Sequence, residues 1–177
     1  MHWQLSHRAD RAALPLADRH YSRQKIGSPQ FVPPGRCIVL LTKNHDALWV
    51  THWPYAHLQF HGRGDVWICS LFRNESPTLS STLIREALAV SAWAFNEFPV
   101  DGTLTFVDAT KVRKKRDPGR CFIRAGFTRQ AQDSKKDGLV SFILPTVTHP
   151  SPSPPLLGGA GDTKKWGLLA WSRCFVE

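Results

Sequence analysis

The sequence predicts a mixed α/β (α+β) domain: a sheet of six or seven strands flanked by helices. Three observations carry this. Short β-branched and aromatic runs, bounded by turn residues, recur along the chain up to Leu144. One long run, Leu79–Phe98, has a helical period instead. The 177 residues, 42% hydrophobic and 21% charged, suit one domain with a normal core rather than a disordered chain.

The elements follow in order. Trp3–Ser6 is a candidate first strand, and residues 9–23 read as one or two short helices in which Pro15 makes a kink or a new start. Gln24–Arg36 holds two Gly and three Pro and reads as a loop. Cys37–Thr42, Ala47–Trp53 and Val66–Phe72 are strands, the first two joined by the polar tetrad Lys43–Asp46. In the long helix, Leu79, Leu83, Leu88, Ser91, Phe95 and Phe98 share a face. Ser76 is its expected N-cap, with Pro77 at the first position and Pro99 as the stop. Thr103–Val107 is the next strand. Pro118 opens a short helix to Ala125 with Gly126 as C-cap, and Phe127–Gln130 and Leu139–Leu144 are the last strands.

These boundaries give a domain over 1–144, a Pro/Ser/Gly-rich linker or flexible tail over 145–163, and an apolar segment over 164–177 able to dock as strand or helix. No apolar run approaches the ~20 residues of a membrane span, and the N-terminus reads as mature sequence without a signal peptide. Cys37, Cys69, Cys121 and Cys174 form no CxxC, which points to buried free thiols in a reducing cytoplasm. The net charge of +9 fits a polyanionic partner: DNA or RNA, or a cofactor carrying several phosphates.

Four places have the residue types for chemistry. Leu71–Ser81 runs from a strand into the start of the long helix, where unpaired N–H groups and the positive dipole end suit an anion. There Arg73 adds a charge, and Ser76, Thr78, Ser80 and Ser81 add hydroxyls; an ordinary capped helix start is the alternative. His20-Tyr21-Ser22-Arg23 offers an imidazole base and a phenol donor, or merely a surface helix end. Asp108 closes a strand and is either a cleft carboxylate whose pKa burial raises or a turn-initiating Asp. Lys111–Arg120 holds six basic residues (Lys111, Arg113, Lys114, Lys115, Arg116 and Arg120) and one acid, which suits contacts to a phosphate backbone or a solvated loop. His52, His57 and His61 lie among aromatics; metal ligation and base stacking both stay open, although no recognised ligand spacing is complete and no metal site is assigned.

The strand Gly102–Asp108, the basic loop, and Arg116–Phe127 (RDPGRCFIRAGF) together resemble the C-terminal half of a GNAT-superfamily acyltransferase. The resemblance covers roughly Arg36–Leu144 and implies a mixed, mostly antiparallel six- to seven-stranded sheet with a cleft. Acetyl-CoA or another acyl donor would be held at Arg73, Ser76, Ser80 and Ser81. Two departures stand out. The Gly-rich pyrophosphate loop is absent, and Phe122 occupies the position of the usual Tyr acid, leaving Tyr21 or Cys121 as replacement proton donors.

A narrower resemblance is to phage Mom proteins, a divergent GNAT branch that modifies adenine in DNA against restriction. It rests on His20-Tyr21-Ser22-Arg23, Arg73-Asn74-Glu75-Ser76 and Thr105-Phe106-Val107-Asp108, which occur in the same order. It implies a DNA-modifying transferase with Asp108, Tyr21 and His20 as acid–base or positioning groups and DNA along Lys111–Arg120, acting in the cytoplasm of a bacterium or infected host cell. A GNAT acetylating a small amine or protein, and a non-catalytic nucleic-acid-binding module on a degenerate GNAT fold, are the alternatives.

Overall fold

A computed structural model describes residues 1–55, 62–112, 117–130 and 139–160. The β-branched and aromatic runs form strands Trp3–Ser6 (β1), Arg36–Thr42 (β2), Ala47–Trp53 (β3), Trp67–Asn74 (β4), Thr103–Asp108 (β5), Thr128–Arg129 (β6) and Leu139–Leu144 (β7). They make one seven-stranded sheet in the order β1-β2-β3-β4-β5-β7-β6. Every pair is antiparallel except β4–β5. That parallel pair needs a crossover, and Ser80–Phe95 (α2) provides it. The short helices are Leu14–Asp18 (α1) and Arg120–Arg124 (α3).

The period of two along the strands sorts side chains onto two faces. On one face Trp3, Leu40 and Trp49 pack with Leu83, Ile84, Ala87 and Leu88 of α2, and on the other Val39, Leu41, Leu48 and Val50 meet Leu16 and Ala17 of α1 and Phe31 and Val32. The result is a sheet covered on both sides. Each large aliphatic buried on α2 stabilises the layer by about 1.5–3 kcal/mol. Two polar contacts tie this core together: the Trp3 indole donates to the Leu83 carbonyl at 2.8 Å, and the Thr51 and Ser91 hydroxyls share a bond at 2.6 Å.

Three local expectations need correction. The long helix begins at Ser80 and ends at Phe95, not Leu79–Phe98, and Ser76 is not its cap. Asn74 is the reason: its side-chain oxygen accepts from the Ser76 N–H and hydroxyl, and its amide donates to the Thr78 carbonyl and the Ser80 hydroxyl. This polar turn delays the helix by several residues. At the other end Asn96 takes a left-handed conformation, φ +54°, and stops α2 before Pro99 is reached.

The third correction concerns the stretch expected as a linker from 145. Over residues 145–160 it is laid along the domain. A 3₁₀ turn spans Thr146–Thr148, the Ser153 N–H reaches the Ala89 carbonyl, and the Leu156 N–H donates to the Trp3 carbonyl at 2.7 Å. Segment 164–177 and Cys174 lie outside the described residues.

Candidate active site

β4 and β5 stay paired only from Trp67↔Thr103 to Cys69↔Thr105. Beyond that point β4 runs on with β3 to Asn74, and β5 runs on with β7 to Asp108. A bulge accompanies the parting. Val50 faces Leu71 and Thr51 faces Cys69, so Ser70 has no partner in the β3 register. An extra residue bends its strand and sharpens the local twist, and here it comes directly after the last β4–β5 pair. The bent strand leaves a cleft of 120 Å³ at the carboxyl ends of the two parallel strands, beside the start of α2.

His20, Tyr21, Ser70, Ser80 and Cys121 all line this cleft. The Ser70 hydroxyl is buried without a hydrogen-bond partner. Tyr21 substitutes for the missing strand neighbour. Its hydroxyl donates to the Phe106 carbonyl at 3.2 Å, and the phenol oxygen accepts from the Asp108 backbone N–H. Burial outweighs the lowering effect of that N–H and pushes the phenol up to about 12, so it stays protonated at neutral pH.

His20 stacks on Tyr21 with ring centroids 4.3 Å apart. Burial, and then the nearby charge of Arg73, push its pKa down to about 4, so the ring is neutral at pH 7. Its Nδ1 accepts the Ser22 N–H at 3.3 Å, which places the single ring proton on Nε2. His20 therefore presents a neutral imidazole whose Nδ1 is engaged by Ser22.

α3 brings the fourth group. Gly119 precedes it at φ +88°, where a Cβ would run into the Phe142 ring. After α3, the Gly126 N–H reaches the Ile123 carbonyl and the Phe127 N–H the Phe122 carbonyl, a Schellman ending that the sequence announced through Gly126. Between these glycines Phe122 packs into the core and the half-buried Cys121 thiol lines the cleft. Cys69 lines it too, but burial pushes that thiol up, which keeps it unreactive.

The other expected groups do not join the cleft in the expected way. Asp108 does not have the raised pKa expected of a base. Its Oδ1 accepts from the Thr110 hydroxyl and N–H and from the Lys111 N–H, and these bonds, the hydroxyl first, hold the carboxyl below its usual value. It is a turn-initiating residue that fixes where Lys111 leaves the strand. Arg73 donates to Glu75 at 2.6 Å and to the Arg19 carbonyl. Glu75 also takes a bidentate bond from Arg19, and the two arginines, Arg19 foremost, pull it down to about 2. Ser76 is tied to Asn74 and Thr78. With Arg73 and Ser76 so engaged, the set Arg73, Ser76, Ser80 and Ser81 does not fit a CoA pyrophosphate; of these four only Ser80 lines the cleft.

Lys111 and Arg120 are exposed at either end of the basic loop, and Arg113, Lys114, Lys115 and Arg116 lie outside the described residues. His52 is a buried strand residue whose Nε2 meets the Pro34 carbonyl at 2.8 Å, while His57 and His61 are outside the described residues. Among the described residues there is no cluster able to hold a metal ion, and no helix is long and apolar enough to cross a membrane.

The fold and site together define a mixed α/β protein with a cleft between diverging parallel strands. Comparisons with protein-family models, curated proteins and solved structures return no match.

Proposed function

We propose that this chain is a GNAT-like transferase of the Mom-like kind, which modifies a base in DNA, and that its reaction centre is the β4–β5 cleft. The observation that carries this reading is the cleft itself. It opens at the carboxyl ends of two parallel strands and gathers a thiol, a protonated phenol, a neutral imidazole and an unpartnered hydroxyl from three separate segments. Such convergence of polar groups in a concave site is what a binding or reaction centre requires.

The roles follow from the bonds. Cys121 is the proton donor to the departing group, since the Tyr21 proton is already given to Phe106. Tyr21 holds the open edge of β5, and the His20 Nε2–H orients an acceptor atom of the transferred group. Asp108 positions the basic loop. The donor is an acyl or related group whose anionic part does not rest on Arg73 and Ser76. A target base reaches the cleft by leaving the stack, at a cost of about a few kcal/mol.

Mass spectrometry of nucleosides from plasmid DNA of expressing cells tests this directly. A new nucleoside made by the parent, and lost with Cys121→Ala, is expected. Asp108→Asn, which keeps the accepting oxygen, should retain most of the product. Unmodified DNA in cells carrying the parent protein overturns the reading. The internal bonds of Arg73 and Asp108 favour a second one, a non-catalytic nucleic-acid-binding module. DNA binding without modification would select it.

A further inference from the structure

Two sets of arginines stand apart among the described residues. Arg19, Arg23, Arg36 and Arg73 each have a carboxylate partner. Arg85, Arg120, Arg124 and Arg129 are exposed and, among the described residues, have no ion pair. The second group is gathered in one place. Arg120 and Arg124 stand one turn apart on α3, which packs against both α2 and β6. Arg85 of α2 extends to the residue just past α3, where a Cβ at Gly126 would stand 4.0 Å from its Nη1. Arg129 sits on β6, the outermost strand on that side of the sheet.

Among the described residues no carboxylate pairs with them. Residues 118–130 contain no acid. Glu86, next to Arg85, is held by the Met1 amino group and His2. The exposed Asp117 is the acid nearest in sequence to Arg120. α3 therefore has two functions in five residues: Cys121 and Phe122 line the cleft, and Arg120 and Arg124 face solvent beside it.

We propose that Arg85, Arg120, Arg124 and Arg129 form the docking surface for the phosphate backbone of a DNA duplex, set beside the cleft that receives the base. This rests on the DNA-modifying reading above and extends the basic contact surface beyond Lys111–Arg120. Planar guanidinium groups match phosphate oxygens two at a time, which lysines cannot do. A lipid surface fits less well, because Ile123 is the one large apolar side chain exposed on α3, and interfacial binding needs a broad apolar face.

The test is the salt dependence of binding to a short DNA duplex, followed by fluorescence anisotropy. Replacing Arg85, Arg124 and Arg129 together by Gln should flatten the slope of log affinity against log salt by roughly 2–3. Replacing the same three by Lys should keep most of the slope, which guards against a folding artefact. A control with Arg11, Lys25 and Lys43 changed to Gln removes equal charge from other exposed positions and should keep the parent slope. An unchanged slope in the first variant, or equal loss in the control, overturns the arginine face. If the parent still binds DNA and yields the modified nucleoside, the transferase reading survives that loss. A parent that binds no DNA overturns both.

Discussion

The two ends of the β4–β5 pair differ in what fills them. At the amino end Trp67 is enclosed by Trp53, Phe95, Phe98 and His149, with ring centroids 5.2–6.2 Å away. Arg36 lies 4.3 Å over Trp53 and is fixed by Glu97 at 2.8 Å. At the carboxyl end the strands part, and side chains from elsewhere in the chain line the gap. One end is packed ring against ring. The other exchanges packing for polar groups that face a cavity. Both ends hold a half-buried histidine pushed down to about 4 by desolvation, His149 at the closed end and His20 at the open one. Burial alone thus does not mark the site; the unpaired strand edge does.

Substitutions at each end should separate these two materials. The largest effect is expected at the closed end. Trp67→Ala should lower unfolding stability by about 3–5 kcal/mol, read from denaturant midpoints. Trp67→Phe should cost under about 1.5 kcal/mol, because the Trp67 indole N–H has no partner to lose. Comparable losses for both variants would mean that the ring cluster is not close-packed.

Next comes Gly119→Ala at the open end, with an expected cost of about 2–3 kcal/mol from the left-handed backbone and the overpacked Phe142. Because it displaces the start of α3, it should also change the rate at which Cys121 is alkylated. An unaltered alkylation rate in a destabilised variant would uncouple α3 from the cleft. Tyr21→Phe is smaller, about 1 kcal/mol for the lost bond to Phe106. Cys121→Ala should fall below that while removing product. A Cys121→Ala variant as unstable as Gly119→Ala would make the thiol a packing residue.

The pH response is smallest near neutrality. Both histidines are held neutral in the fold, with pKa values of about 4 against 6.5 for the free side chain. Above about pH 6.5 neither state binds the extra proton, so stability is flat. As pH falls from there toward 4 the unfolded chain protonates first, and stability declines. Urea midpoints between those limits should drop, and His149→Phe should remove part of the drop. A midpoint that rises on acidification would show that the rings are charged in the fold.

Much of this architecture was legible in the residues. The strands and the long helix follow from periods of two and 3.6, and Gly126 marked the close of α3. The cleft was less legible. Its opening depends on Ser70, one residue out of phase in a strand that otherwise reads as continuous (WICSLF); a polar residue breaking that run was the available signal. His20 and Tyr21 were singled out, but not Tyr21 as a surrogate for β4, because strand 5 is 85 residues away. The helix start was misplaced because Asn74 and Ser76 together bind residues 76–80 in a polar turn ahead of the helix, which spacing along the chain does not show. The arginine face needs three elements brought together, which spacing along the chain does not reveal.

The strap over 145–160 has a consequence for how the molecule comes into being. β1 is an outer strand of the sheet, and such a strand can recruit a foreign one. Here the Leu156 N–H and the Gln4 side chain, which donates to the Leu157 carbonyl at 2.8 Å, bring residues from opposite ends of the sequence together over that border. A ribosome releases residues 3 and 4 well before 156 and 157. During that interval the border stands open, so the nascent chain passes through a sticky stage that ends only when its own late segment arrives.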